Sequence, residues 1–82
     1  MRKVTYLKNA YKTLASYDEK TKQRIINAVD IIPRGDIKKI QGEKYPPLYR
    51  LRVGKHRIIY HIDVNNNEII IAKIDTRGDI YK

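Results

Sequence analysis

The sequence predicts an α+β domain: an N-terminal strand, a helical hairpin and a three-strand antiparallel meander, with both helices packed on one face of the sheet. Three observations carry that prediction. The stretch from Leu48 to Thr76 consists of three β-patterned runs parted by short polar turns. The stretch from Lys8 to Ile32 instead places apolar residues at helical spacing. No repeat, low-complexity tract or linker interrupts the 82 residues, so residues 1–82 read as a single domain. A chain this short buries only ~60–65% of its unfolded surface, and one layer of helix on one sheet is what it can build.

Taken in order, Val4 and Tyr6 alternate with Lys3 and Thr5, which predicts a short edge strand over Arg2–Leu7. Tyr11, Leu14 and Ala15 stand at i, i+3 and i+4, so a first helix spans Lys8–Ala15. Ser16-Tyr17-Asp18-Glu19 has the S-x-x-E form of a capping box, with Ser16 as the N-cap of a second helix. The buried stripe of that helix is Ile25, Ile26, Val29 and Ile32 with Ala28 beside it, and Pro33 stops it because proline cannot donate the next ladder bond. Lys20, Lys22 and Arg24 fall mostly off the stripe and read as a solvated face. Pro33-Arg34-Gly35-Asp36 is a turn, Ile37 to Gly42 an extended connection, and Tyr45-Pro46-Pro47 a polyproline-like entry into the next strand.

The segment LYRLRVGKHRIIYHI, Leu48 to Ile62, reads as a hairpin that turns at Val53-Gly54-Lys55. Successive strand residues point to opposite faces, so Tyr49, Leu51 and Val53 share one side and Arg50 and Arg52 the other. In the second strand Ile58, Tyr60 and Ile62 form the core set, opposite Arg57, Ile59 and His61. Arg50, Arg52, Arg57 and His61 then share a face suited to phosphate, because guanidinium forks bind its oxygens bidentately and stay charged. Asp63 to Asn67 is a polar turn, and Glu68 to Thr76 the most apolar run and a central strand. Its parity groups Ile70, Ala72 and Ile74 as core and puts Ile71, Lys73, Asp75 and Arg77 on the basic side.

Charge points the same way. Lys and Arg number 18 against 9 Asp and Glu, a net charge of +9, which on so small a domain favours nucleic acid or an acidic protein partner. Cysteine is absent, so a disulfide framework and thiolate zinc sites are excluded, and a cytoplasmic setting is expected. The basic residues near the N-terminus are not followed by the roughly 7–15-residue apolar run of a signal peptide. No stretch approaches the ~20 apolar residues of a membrane span. His56, His61, Asp63 and Glu68 lack zinc-ligand spacing, and there is no P-loop, dinucleotide turn or Ser or Cys nucleophile motif. No metal or other cofactor is therefore expected.

The order of elements, the LYRLRVGKHRIIYHI hairpin and the ending IAKIDTRGDIYK resemble the RelE/ParE superfamily of toxins from type II toxin–antitoxin pairs. The likeness runs over the whole chain and is nearer to the RelE branch, whose members bind the ribosomal A site and cut the messenger RNA there. It implies a metal-independent endoribonuclease in which a ribose 2′-hydroxyl attacks the neighbouring phosphate. By the same likeness the catalytic set falls on Arg57, Arg77 and Tyr81, with His56 at a position where YoeB-like members also carry a histidine. Arg50 and Arg52 stand where RelE has lysines, and with Lys55 and Lys73 they make up the RNA-binding set. Arginine does not readily shed a proton, so a lysine base has no direct counterpart here.

His56, His61 and Tyr81 are the remaining groups with suitable proton chemistry. Parity favours His61, on the Arg57 side, whereas family position favours His56 beside the turn, where strand alternation often breaks down. Tyr81 could also stack a base. The implied partners are an acidic RelB-like antitoxin, messenger RNA and 16S ribosomal RNA in the A site, with DNA met only through the antitoxin and no membrane. Two other readings stay open: a ParE-like inhibitor of DNA gyrase without nuclease activity, and an inactive basic RNA-binding homologue.

Overall fold

The computed structural model describes residues 2–40 and 47–76. Tyr45-Pro46, Arg77 and Tyr81 lie outside the described residues. The elements run β1 (Lys3–Tyr6), α1 (Lys8–Ser16), α2 (Glu19–Asp30), β2 (Asp36–Lys39), β3 (Tyr49–Val53), β4 (His56–Asp63) and β5 (Glu68–Thr76). They build one five-stranded sheet in the order β1-β5-β4-β3-β2, with β1 parallel to β5 and the other pairs antiparallel. The expected edge strand is there, fastened to β5 in the Val4–Ile69 register, with the Thr5 hydroxyl donating to the Glu68 carboxylate.

Both helices cover one face, α1 lying against β5 and α2 against β3. Ala10, Leu14, Ile25, Val29 and Ile32 from the helical side meet Leu51, Ile58, Tyr60, Ile69, Ile71 and Ile74 from the sheet in a single core. Among the described residues no helix is long and apolar enough to cross a membrane.

Four local expectations give way. The α1 stripe is Ala10 and Leu14, whereas Tyr11 is 60% exposed and Ala15 lies outside the core. A methyl at position 10 lets the helix approach β5 more closely than a phenol would. The α2 N-cap is Asp18, whose carboxylate accepts from the Thr21 amide at 3.0 Å, while the Ser16 hydroxyl donates back to the Thr13 carbonyl within α1. The S-x-x-E pattern is present in the sequence, but α1 runs through Ser16 and keeps that residue for its own last turn. The stretch expected as an extended connection contains β2, which pairs Ile37 with Leu51 and makes a fifth strand.

The fourth change lies in β5. Ile69 and Ile71 are buried, and so is Ile74, which breaks strict alternation. Ile59 pairs with Lys73 whereas Tyr60 pairs with Ile71, so Ala72 is an extra residue without a partner of its own, a β-bulge. Ile71, assigned by parity to the basic side, therefore belongs to the core, and Ile70 to the opposite face. Beyond the bulge the expected order returns, with Ile74 inward and Lys73 and Asp75 outward.

Candidate nucleic-acid interface

The face of the sheet that neither helix covers is organised by the strand register. Directly paired residues share a face, so Asp36, Arg52, Arg57 and Asp75 form one row across β2, β3, β4 and β5. Lys38, Arg50, Ile59 and Lys73 form the next. Arg52 and Arg57 are thus opposed across the β3–β4 ladder, where Cβ atoms stand ~4.5–5.5 Å apart. Like charges placed this way repel, and an anion bridging the two would remove that cost.

Two carboxylates flank the cations. Asp36 Oδ1 accepts from Arg50 Nη2 at 3.4 Å, and Asp75 Oδ2 lies 3.8 Å from Arg57 Nη2 and 3.6 Å from Lys73 Nζ. The Nε atoms of Arg50 and Arg57 are buried and have no hydrogen-bond partner among the described residues. A buried N–H left unpaired costs about 1–3 kcal/mol. Both side chains are packed against the sheet rather than extended into solvent, Arg50 15% and Arg57 22% exposed.

The two histidines separate. His61 is on the arginine side of β4 and pairs with Ile70, four residues along the strand from Arg57. At about 3.3 Å per residue that is ~13 Å. His56 is on the helical side and only 7% exposed. The alternation expected to break beside the turn holds, so His56 does not come round to Arg57. Its ring lies 4.8 Å from that of Tyr17, and its Nδ1 is 3.3 Å from the Thr76 hydroxyl, which is itself 3.1 Å from the Tyr17 hydroxyl. Burial, then the positive charges of Lys55 and Arg24, hold the His56 imidazole below its ordinary range. Lys55 is exposed in the turn and Lys73 exposed on the basic face.

Among the described residues no group of His, Asp and Glu is placed to hold a metal ion. Asp36 and Asp75 belong to the site although no motif marks either of them in the sequence. The parity of β5 carries the signal for Asp75, but its partner depends on a register that only pairing reveals.

The family model described as ParE toxin of type II toxin-antitoxin system, parDE, matches residues 4–81. No curated protein sequence matches the chain. Among solved structures, the archaeal RelE–RelB complex from Pyrococcus horikoshii OT3 contains a chain 31% identical to this one, with a TM-score of 0.79 and coverage of 94% of this chain and 96% of that one. The RelB–RelE antitoxin–toxin complex from Methanococcus jannaschii is similar at 26% identity and a TM-score of 0.72, covering 94% of each chain. The isolated RelE toxin from E. coli shares the fold at 12% identity and a TM-score of 0.73, over 93% of this chain and 84% of that one. The chain therefore belongs to the ParE toxin family of type II toxin–antitoxin systems, within the RelE/ParE superfamily.

Proposed function

We propose that this toxin is a ribosome-dependent endoribonuclease that grips the messenger RNA backbone on its helix-free sheet face and cleaves it in the A site. The observation that carries the reading is the opposed pair Arg52 and Arg57, with Arg50 and Lys73 in the adjoining row. Such an array meets the charge that grows on a phosphate as a ribose 2′-hydroxyl attacks it, and donors fixed beforehand are the most effective means of doing so. Arg57 faces the scissile phosphate, while Arg50, Arg52, Lys55 and Lys73 hold neighbouring phosphates and the ribosomal RNA. Arg77 and Tyr81 complete the set by resemblance. His61 is too far along β4 to reach the same phosphate and serves the flanking backbone.

The partner is an acidic antitoxin that covers this basic face and the helical hairpin, and DNA is met only through it. The RelE–RelB complexes from Pyrococcus and Methanococcus support an antitoxin of the RelB kind as the partner. The test is to add purified protein to a translating extract and map the 5′ ends of the message. New ends within codons at the A site are expected from the wild type and not from Arg57→Ala; an intact message from the wild type rejects the reading.

A second reading has one observation in its favour, the match to a ParE family model. A gyrase inhibitor would leave the message intact and block supercoiling by purified gyrase, so the two assays run side by side separate the alternatives.

A further inference from the structure

Resting on the nuclease reading, we propose that Asp75 is the general base that takes the 2′-hydroxyl proton, with Arg57 and Lys73 holding its carboxylate in place. A base must come within hydrogen-bond reach of a hydroxyl beside the phosphate that Arg57 grips. His56 is on the other side of the sheet, occupied by Thr76 and Tyr17. His61 is ~13 Å from Arg57 along the strand, with Ile59 between them on that face. The arginines retain their protons.

Asp75 meets the requirement. It pairs directly with Arg57, so it sits one strand spacing, ~4.8 Å, from the cation that would hold the phosphate. Its side chain is 23% exposed, open enough to meet a ligand and enclosed enough to be held still, and both Arg57 Nη2 and Lys73 Nζ lie within 4 Å of its Oδ2. An ionised carboxylate only accepts hydrogen bonds, as a group receiving a hydroxyl proton must. Asp36, the other carboxylate of that row, is on an edge strand, 59% exposed and turned to Arg50.

The step balances without a further reagent. The proton passes from the 2′-hydroxyl to Asp75 as the 2′-oxygen bonds to phosphorus. The bond from phosphorus to the 5′-oxygen breaks, that oxygen leaves with the electron pair and is protonated by water, and Asp75 returns its proton to water. The products are a 2′,3′-cyclic phosphate and a 5′-hydroxyl.

The experiment is single-turnover cleavage on programmed ribosomes as a function of pH, with wild type, Asp75→Asn, Asp75→Glu and Arg57→Ala, and with ribosome binding measured for each. Asp75→Asn should lose at least ~10²-fold in rate with ribosome affinity unchanged, and should lose the acid limb of the wild-type pH profile. Asp75→Glu should recover part of the rate and keep that limb. Wild-type cleavage together with an unimpaired Asp75→Asn, or a slowed Asp75→Asn that retains the acid limb, overturns the base assignment and leaves the nuclease reading standing. A wild type that does not cleave overturns both.

Discussion

His56 and Arg57 are consecutive in the chain and lie on opposite sides of β4, the imidazole against Tyr17 and the guanidinium 3.8 Å from Asp75. One residue serves the packing between hairpin and helices, and the next serves the exposed cationic surface. The turn between β3 and β4 thus leads into two chemically distinct environments joined by a single peptide bond.

Arg57→Ala should slow cleavage by roughly 10²–10³-fold, the usual cost of removing one preorganised donor from a developing anion. Arg57→Lys should recover only part, because an ammonium does not reproduce the planar fork. Single-turnover rates at saturating ribosome concentration measure this directly.

Binding to single-stranded RNA should weaken steeply with salt. Each of Arg50→Ala and Arg52→Ala should reduce the slope of log affinity against log salt by about 0.7 for each phosphate that is no longer neutralised. The reduction should be even across sequences, since a side chain that meets only phosphate reads no bases. Titrations with two unrelated oligonucleotides at several salt concentrations would show it.

His56 links stability to pH. The folded state holds its imidazole below the ordinary 6.5, so between the folded and unfolded values the unfolded chain binds the extra proton. Stability is then full above about pH 6.5 and declines as pH falls toward the folded value. Lys55 and Arg24 add to the effect, and the Tyr17 ring packs against the imidazole. Urea midpoints should fall from pH 7 to about pH 5 in wild type, and His56→Gln should remove that part of the decline.

Deleting Ala72 should leave the fold intact. Ile71 and Lys73 pair with the consecutive residues Tyr60 and Ile59, so without the extra residue β5 alternates strictly, with Ile69, Ile71 and Ile74 still inward and Lys73 and Asp75 still outward. Deleting Ile71 instead leaves Ala72 to take its place in the core, at a cost of about 2–5 kcal/mol against a total stability of roughly 4–12 kcal/mol for a chain of this length. Far-UV circular dichroism and thermal melts should show native content and a cooperative transition for the first variant, and a lowered Tm for the second.

Gly54→Ala should destabilise by roughly 1–2 kcal/mol, the cost of a left-handed conformation for a residue with a Cβ. Gly54 has φ +60° and an added Cβ would stand 3.3 Å from Arg24 Nη2. Gly54→Asn should lose less, since asparagine tolerates this region. Differences in Tm between the two variants decide it.

Local residue patterning accounts for the fold class, the hairpin, the inward set of Leu51, Ile58 and Tyr60, and the common side of Arg50, Arg52, Arg57 and His61. Those follow from a two-residue period that each strand carries locally. The family likeness was also legible, in the hairpin and the C-terminal motif. Tertiary structure decided the rest. β2 carries a single apolar residue, Ile37, so its sequence shows no period, and it becomes a strand by pairing with the edge that Leu51 and its neighbours offer. The bulge at Ala72 arises from how β5 must pair with β4 while keeping Ile71 and Ile74 both under the helices. The Asp75–Arg57 and Asp36–Arg50 contacts exist only once the register is set. Alternation is a property of one strand, whereas register, bulges and ion pairs belong to two strands together, and no single stretch of sequence contains them.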